Sequence, residues 1–189
     1  MIQRQERLNG LHPDLIQFAF DLANEASKIL QSDILVTEGY RTKEVQEAYY
    51  AQGRKSLTEV NALRKKAGLY EIDAKSNYVI SWALPCESPH QHYAAFDVYL
   101  MSLDNKKLEA DKNRLTIFYD LMKKLATSPK YAQKIELGLF WGQYGQLDPP
   151  HVEIKNWRTL KKESIAACKL GIKPLPEMEE VDVDTEKKN

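Results

Sequence analysis

The stretch SPHQHYAAFDVYL, Ser88 to Leu100, places two of the chain's four histidines and a lone aspartate in a segment otherwise composed for a strand. From Tyr93 onward its residues are aromatic, β-branched or small, and a carboxylate leaving water in such a run needs a cation or several hydrogen bonds. Four polar clusters carry chemical potential: Arg41 in EGYRT, Ser88 and His90 in SPH, Asp97 in FDV, and Asp148 with His151 in DPPH. Two histidines and a carboxylate are a common protein contribution to a catalytic zinc site, where three ligands leave a fourth position open for water. The seven-residue step from His90 to Asp97 lets a loop histidine meet a strand carboxylate on one side of a sheet, and His151 would supply the third ligand.

Each residue also has a plainer reading. His92, two residues beyond His90, faces the same side if the segment is extended. It is then an alternative ligand, a support for one, or a substrate contact; the spacing to Asp97 favours His90. Asp148 before two prolines is a good turn initiator. Arg41 can pair with Glu38 or Glu44 at the surface for little energy. Glu153 reads as a solvated strand residue rather than a group that orients a ligand histidine. Trp82, Trp141 and Tyr144 read as core or cleft wall.

The elements that must position these groups follow from periodicity. Pro13 and Asp14 open a helix with Leu15, Phe18, Leu22, Ala26 and Ile29 on one face, ending near Gln31. DILVTEGY, from Asp33 to Tyr40, predicts a strand, and Thr42 caps a helix that Gly53 closes. Ser56 to Gly68 predicts a further helix. NYVISWAL, from Asn77 to Leu84, and AAFDVYL predict the second and third strands, joined by the irregular LPCESPHQH. Asp111 to Thr127 is amphipathic, PKYAQKIELG predicts a short helix, and LFWGQYG and HVEI predict short strands. A last helix spans about Arg158 to Leu170. The fold class is α+β, a small, mostly antiparallel sheet with flanking helices.

Composition narrows the function. With 27 basic and 27 acidic residues the formal net charge is +0, so no global basic field recruits nucleic acid, and no binding motif for it is present. No apolar run approaches the roughly 20 residues needed to cross a bilayer. MIQRQERLNG lacks the pattern of a secretory signal, so the expectation is synthesis in the cytoplasm and another route if the protein acts outside; separately, a monomer is expected. Cys86 and Cys168 are far apart and predict two free thiols rather than a disulfide. The expected organisation is one domain over residues 1–171 and an acidic, solvated tail over 172–189, its charge concentrated from Glu177 onward.

SPHQHYAAFD resembles the Ser-x-His-x6-Asp signature of the zinc peptidases that cut bacterial cell-wall peptides. These are the D-Ala-D-Ala carboxypeptidase and L-alanyl-D-glutamate endopeptidase family, which includes many phage endolysins. DPPHVE resembles that family's second motif, FWGQYG the aromatic-glycine run before it, and EGYRTKEVQEAYYAQGRK its upstream Gly-Tyr-Arg-Thr and Gln-Gly-Arg element. The motifs occur in the family's order from about Val36 to Glu153. The resemblance implies a Hedgehog/D-Ala-D-Ala-peptidase-like fold with one Zn2+ at the sheet, held by His90, Asp97 and His151. It further implies Asp148 as general base toward the activated water, Arg41 as oxyanion stabiliser, and Ser88, Gln46 and His92 as substrate contacts. The partner implied is a peptidoglycan stem peptide, reached from the cytoplasm through a membrane pore such as a phage holin's, with no nucleic acid and no membrane binding. Endopeptidase action is the first expectation, D,D-carboxypeptidase action the second, and a non-catalytic wall-binding or virion protein the rival. The family commonly has glycine where this chain has Tyr93, which predicts an altered loop or a narrowed cleft. Ser56 to Lys75 reads as a helical insertion over that cleft.

Overall fold

The computed structural model describes residues 1–138 and 148–176. The expected LFWGQYG strand, with Trp141 and Tyr144, and the acidic residues from 177 onward lie outside the described residues.

Among the described residues five strands form one sheet: β1 (Ile2–Gln3), β2 (Ile34–Glu38), β3 (Ala95–Leu100), β4 (Ile135–Leu137) and β5 (His151–Ile154), in the order β1-β2-β3-β5-β4. Of these strands only the β1–β2 pair is parallel, so the sheet is mostly antiparallel within an α+β fold. Alternation along β3 sends Phe96, Val98 and Leu100 to one face, where all three are buried. Ile34, Val36, Ile135, Leu137, Val152 and Ile154 join them in the core.

That face is covered by α1 (Pro13–Leu30) and α4 (Lys112–Ala126). Leu15, Phe18 and Leu22 recur at helical spacing on α1, and Phe118 and Met122 do so on α4, giving each helix the apolar stripe that the sheet buries. His12 caps α1, its Nδ1 accepting from the Asp14 amide at 3.2 Å. Asp111 caps α4 in the same manner. No helix among the described residues is long and apolar enough to cross a membrane.

The opposite face carries the polar residues. On its flank lie α2 (Lys43–Ala51), capped by Thr42, and α3 (Leu57–Lys66), opened by a reciprocal Ser56–Glu59 capping box. After β5 come two short helices, α5 (Trp157–Leu160) and α6 (Lys162–Lys169), where one longer helix was expected. Residues 172–176 lie against the domain, with Pro174 buried and the Lys173 ammonium over the Tyr40 ring.

Four expectations require correction. NYVISWAL is not a strand; beside α2 it has no sheet partner among the described residues. PKYAQKIELG yields β4 rather than a helix. The Ser56–Lys75 segment turns back on itself through reciprocal hydrogen bonds between Asn61 and Ile72, and none of its residues lines the main cleft. Cys86 and Cys168 are joined, their Cα atoms 5.7 Å apart, because α6 folds back beside the Cys86–His92 turn. Eighty-two residues separate the pair, so nothing local announces it.

Candidate metal centre

A single row across three neighbouring strands sets the site: Glu38 pairs with Asp97, and Asp97 pairs with His151. Regular pairing would send Glu38 to the core face with Ile34 and Val36. The register shifts between Val36 and Glu38, an extra residue that turns Glu38 to the polar face. Gly39 follows because the Arg7 backbone passes so close that any side chain would collide with its carbonyl.

His90 reaches this row from a 3-10 turn over Pro89–His92. Its Nδ1 lies 2.9 Å from the Gly39 carbonyl, so it donates there and leaves the Nε2 lone pair facing inward. Nε2 is 3.5 Å from Asp97 Oδ1 and 3.3 Å from His151 Nδ1. The third edge, His151 Nδ1 to Asp97 Oδ1, is 3.1 Å. Three donors set tetrahedrally around an ion at zinc bond lengths of about 2.0–2.1 Å stand about 3.3 Å apart, so these side chains fit one zinc ion.

The charges agree with that fit. Burial disfavours the Asp97 carboxylate, but the neighbouring His90 and His151 hold its pKa well below the usual range. Burial likewise opposes charge on His151, yet its bonds to Asp97 and Glu153 raise its pKa to about 10. Without a metal, a proton supplies the positive charge that the two carboxylates require.

Arg41 is largely buried, its guanidinium forked onto Glu38 through Nε at 2.8 Å and through Nη2. Burial works against its charge and the Glu38 carboxylate outweighs it, raising its pKa. Arg41 Nη1 donates to Gln46 Oε1 at 2.7 Å. Gln46 was expected to touch substrate, but it is fully buried. Its amide is spent on Arg41, Ser81 Oγ and the Ala83 carbonyl, so it fastens the arginine to the cleft wall instead.

His92 also departs from expectation. Residues two apart on a 3-10 turn point to different sides. His92 therefore turns away from the cluster and bonds Ser164 Oγ at 2.8 Å and the Cys86 carbonyl at 3.1 Å, with its ring stacked on Trp157. It does not line the cleft. Ser88, buried at the head of the turn, does. Tyr93 takes the left-handed conformation glycine would offer, φ 57°, and stacks on Tyr40 at 4.2 Å. Its ring packs into the core, so the expected narrowing of the cleft is absent.

The cleft measures ≈ 970 Å³, and its walls include Arg41, Ser81, Trp82, Asp97, Asp148 and His151. Asp148 stands beside β4 because Gly138 has no side chain to strike it. Its amide donates to the Gly138 carbonyl at 3.2 Å. Burial raises the Asp148 pKa, and the Asp97 charge adds to this against the nearby cations. The most informative residue that sequence reasoning set aside is Glu153: it is 8% exposed, with Oε2 3.2 Å from His151 Nε2. The signal was its i+2 spacing from His151.

No protein-family profile matches the chain, and no curated protein matches it. Among solved structures, the chain is similar to the Serratia marcescens L-Ala D-Glu endopeptidase ChiX, with a TM-score of 0.45 and 19% identity over 84% of this chain and 93% of that one. A variant of the vancomycin-resistance D,D-pentapeptidase VanY in complex with Zn(II) gives 0.42 and 16%, over 86% and 80%. The LdcB LD-carboxypeptidase gives 0.41 and 16%, over 87% and 71%.

Proposed function

We propose that the chain is a zinc-dependent peptidase that hydrolyses an amide bond in peptidoglycan stem peptides, with the L-Ala–D-Glu bond as first choice and D-Ala-D-Ala carboxypeptidase action as second. The observation that carries the reading is the meeting of His90, Asp97 and His151 at donor separations of 3.1–3.5 Å in the cleft that also holds Asp148 and Arg41. A zinc ion bound there supplies Lewis-acid activation of water and of the scissile carbonyl.

The chain's own groups divide the remaining work. Asp148, on the cleft wall beside the cluster, takes a proton from the attacking water and returns it to the leaving amine. Arg41, held by Glu38 and Gln46, presents its remaining N–H groups to the developing oxyanion without having to reorganise. The substrate class rests on the ordered motifs from about Val36 to Glu153. Delivery through a membrane pore belongs to the same proposal, and a Cys86–Cys168 disulfide suits the oxidising side of that passage.

The rival reading, a non-catalytic protein keeping the fold, draws on Tyr93, and with that ring in the core the observation no longer favours it. Substitution tests the assignment. Asp97→Ala or His151→Ala abolishes stoichiometric zinc, whereas Asp148→Ala keeps zinc and loses turnover. Full activity in Asp148→Ala contradicts the proposed mechanism.

A further inference from the structure

The two histidines of the cluster present different nitrogens. His90 donates from Nδ1 to a backbone carbonyl and offers Nε2. His151 is reversed: Nδ1 is the atom near Asp97 and His90, and Nε2 faces Glu153 at 3.2 Å. A carboxylate oxygen accepts, so the Glu153 contact takes the proton on His151 Nε2 and leaves Nδ1, on the side of Asp97 and His90, as the nitrogen that can exchange its proton for a metal.

Geometry makes this pairing direct. Residues 151 and 153 lie on the same face of β5, and Glu153 is flanked by Ala95 on β3 and Glu136 on β4 in the ladder. The side chain is almost wholly buried. Among the described residues its carboxylate has one hydrogen-bond partner, the His151 ring. A buried carboxylate held by a single imidazole is weak support for stability, which leaves orientation of that ring as its use.

Resting on the zinc reading above, we infer that Glu153 is a positioning residue that fixes His151 as an Nδ1 ligand. It touches neither substrate nor metal.

The test uses the whole chain in three forms: parent, Glu153→Gln and Glu153→Leu. Zinc affinity is measured by competition with a chelating indicator, and the cobalt-substituted proteins are compared by visible absorption. The expected result is a 10–100-fold loss of zinc affinity in Glu153→Leu, with an altered cobalt spectrum. Glu153→Gln keeps an acceptor and stays within tenfold of the parent. A Leu variant with parental affinity and spectrum overturns the inference. Where that variant does not fold, 15N NMR of the zinc-loaded parent decides: a protonated Nε2 on His151 supports the role, and metal on Nε2 overturns it. A parent that binds no zinc removes the zinc reading together with this one. Zinc binding by the parent with an unaffected Leu variant removes only the role of Glu153.

Discussion

Zinc and a proton compete for His151, and the competition has a size. In the metal-free protein the imidazole holds its proton up to about pH 10, against an ordinary value near 6.5. Burial opposes the charge, but Asp97 at 3.1 Å and Glu153 at 3.2 Å outweigh it. Displacing that proton at pH 7 costs about 4 kcal/mol, three pH units at about 1.4 kcal/mol each. Apparent zinc affinity therefore gains about 30-fold from this group between about pH 7 and 8.5, where an imidazole of ordinary pKa contributes less than about 1.5-fold. The same proton stabilises the metal-free fold. Because the folded pKa is raised, that stability is fully present below the unfolded pKa and is lost as pH rises through about 10. The decisive assay is long-range 1H–15N NMR of the metal-free protein at pH 8, where both ring nitrogens of His151 are expected to be protonated. A neutral His151 at that pH refutes the electrostatic account of the cluster.

Three further outcomes are expected. Burial raises the pKa of Asp148 in the metal-free protein, so its charge at neutral pH opposes folding and Asp148→Asn raises the metal-free melting temperature there; a lowered melting temperature contradicts this. Gln46→Ala leaves the buried Arg41 Nη1 and Ser81 without partners and costs about 1–3 kcal/mol in urea denaturation, with kcat falling more than KM rises; an unchanged kcat removes Arg41 positioning from the mechanism. Cys168→Ser opens a loop spanning 82 residues and lowers stability by about 2–4 kcal/mol, read as a lower denaturation midpoint, while an unshifted midpoint means that the disulfide does not form in solution.

The donor set was legible because its types are costly where they sit. Asp97 in a strand of apolar and aromatic residues demands a partner, and His90 and His151 stand at spacings a sheet can bring together. The helices at Pro13–Leu30 and Lys112–Ala126 were legible from their apolar stripes. What failed depended on contacts distant in sequence. NYVISWAL has strand composition, but hydrogen bonds from Gln46 and Arg54 side chains, rather than a ladder, fix its Ser81 and Ala83. Ile135–Leu137 is too short to show a period of two. His92 was placed on the substrate side by assuming extended chain, and the 3-10 turn rotates it behind the site. Glu153, read as solvated, and Gln46, read as substrate-facing, are both buried, one bonded to His151 and the other to Arg41.

The central claim is zinc-dependent cleavage of a stem-peptide amide bond. Its most direct test is incubation of the zinc-loaded protein with purified Gram-negative peptidoglycan, with and without chelator, and identification of the released fragments by mass spectrometry. The expected result is chelator-sensitive release of fragments with a new D-Glu amino terminus; loss of terminal D-Ala alone selects the carboxypeptidase alternative. Intact peptidoglycan in the presence of demonstrably zinc-loaded protein contradicts the account.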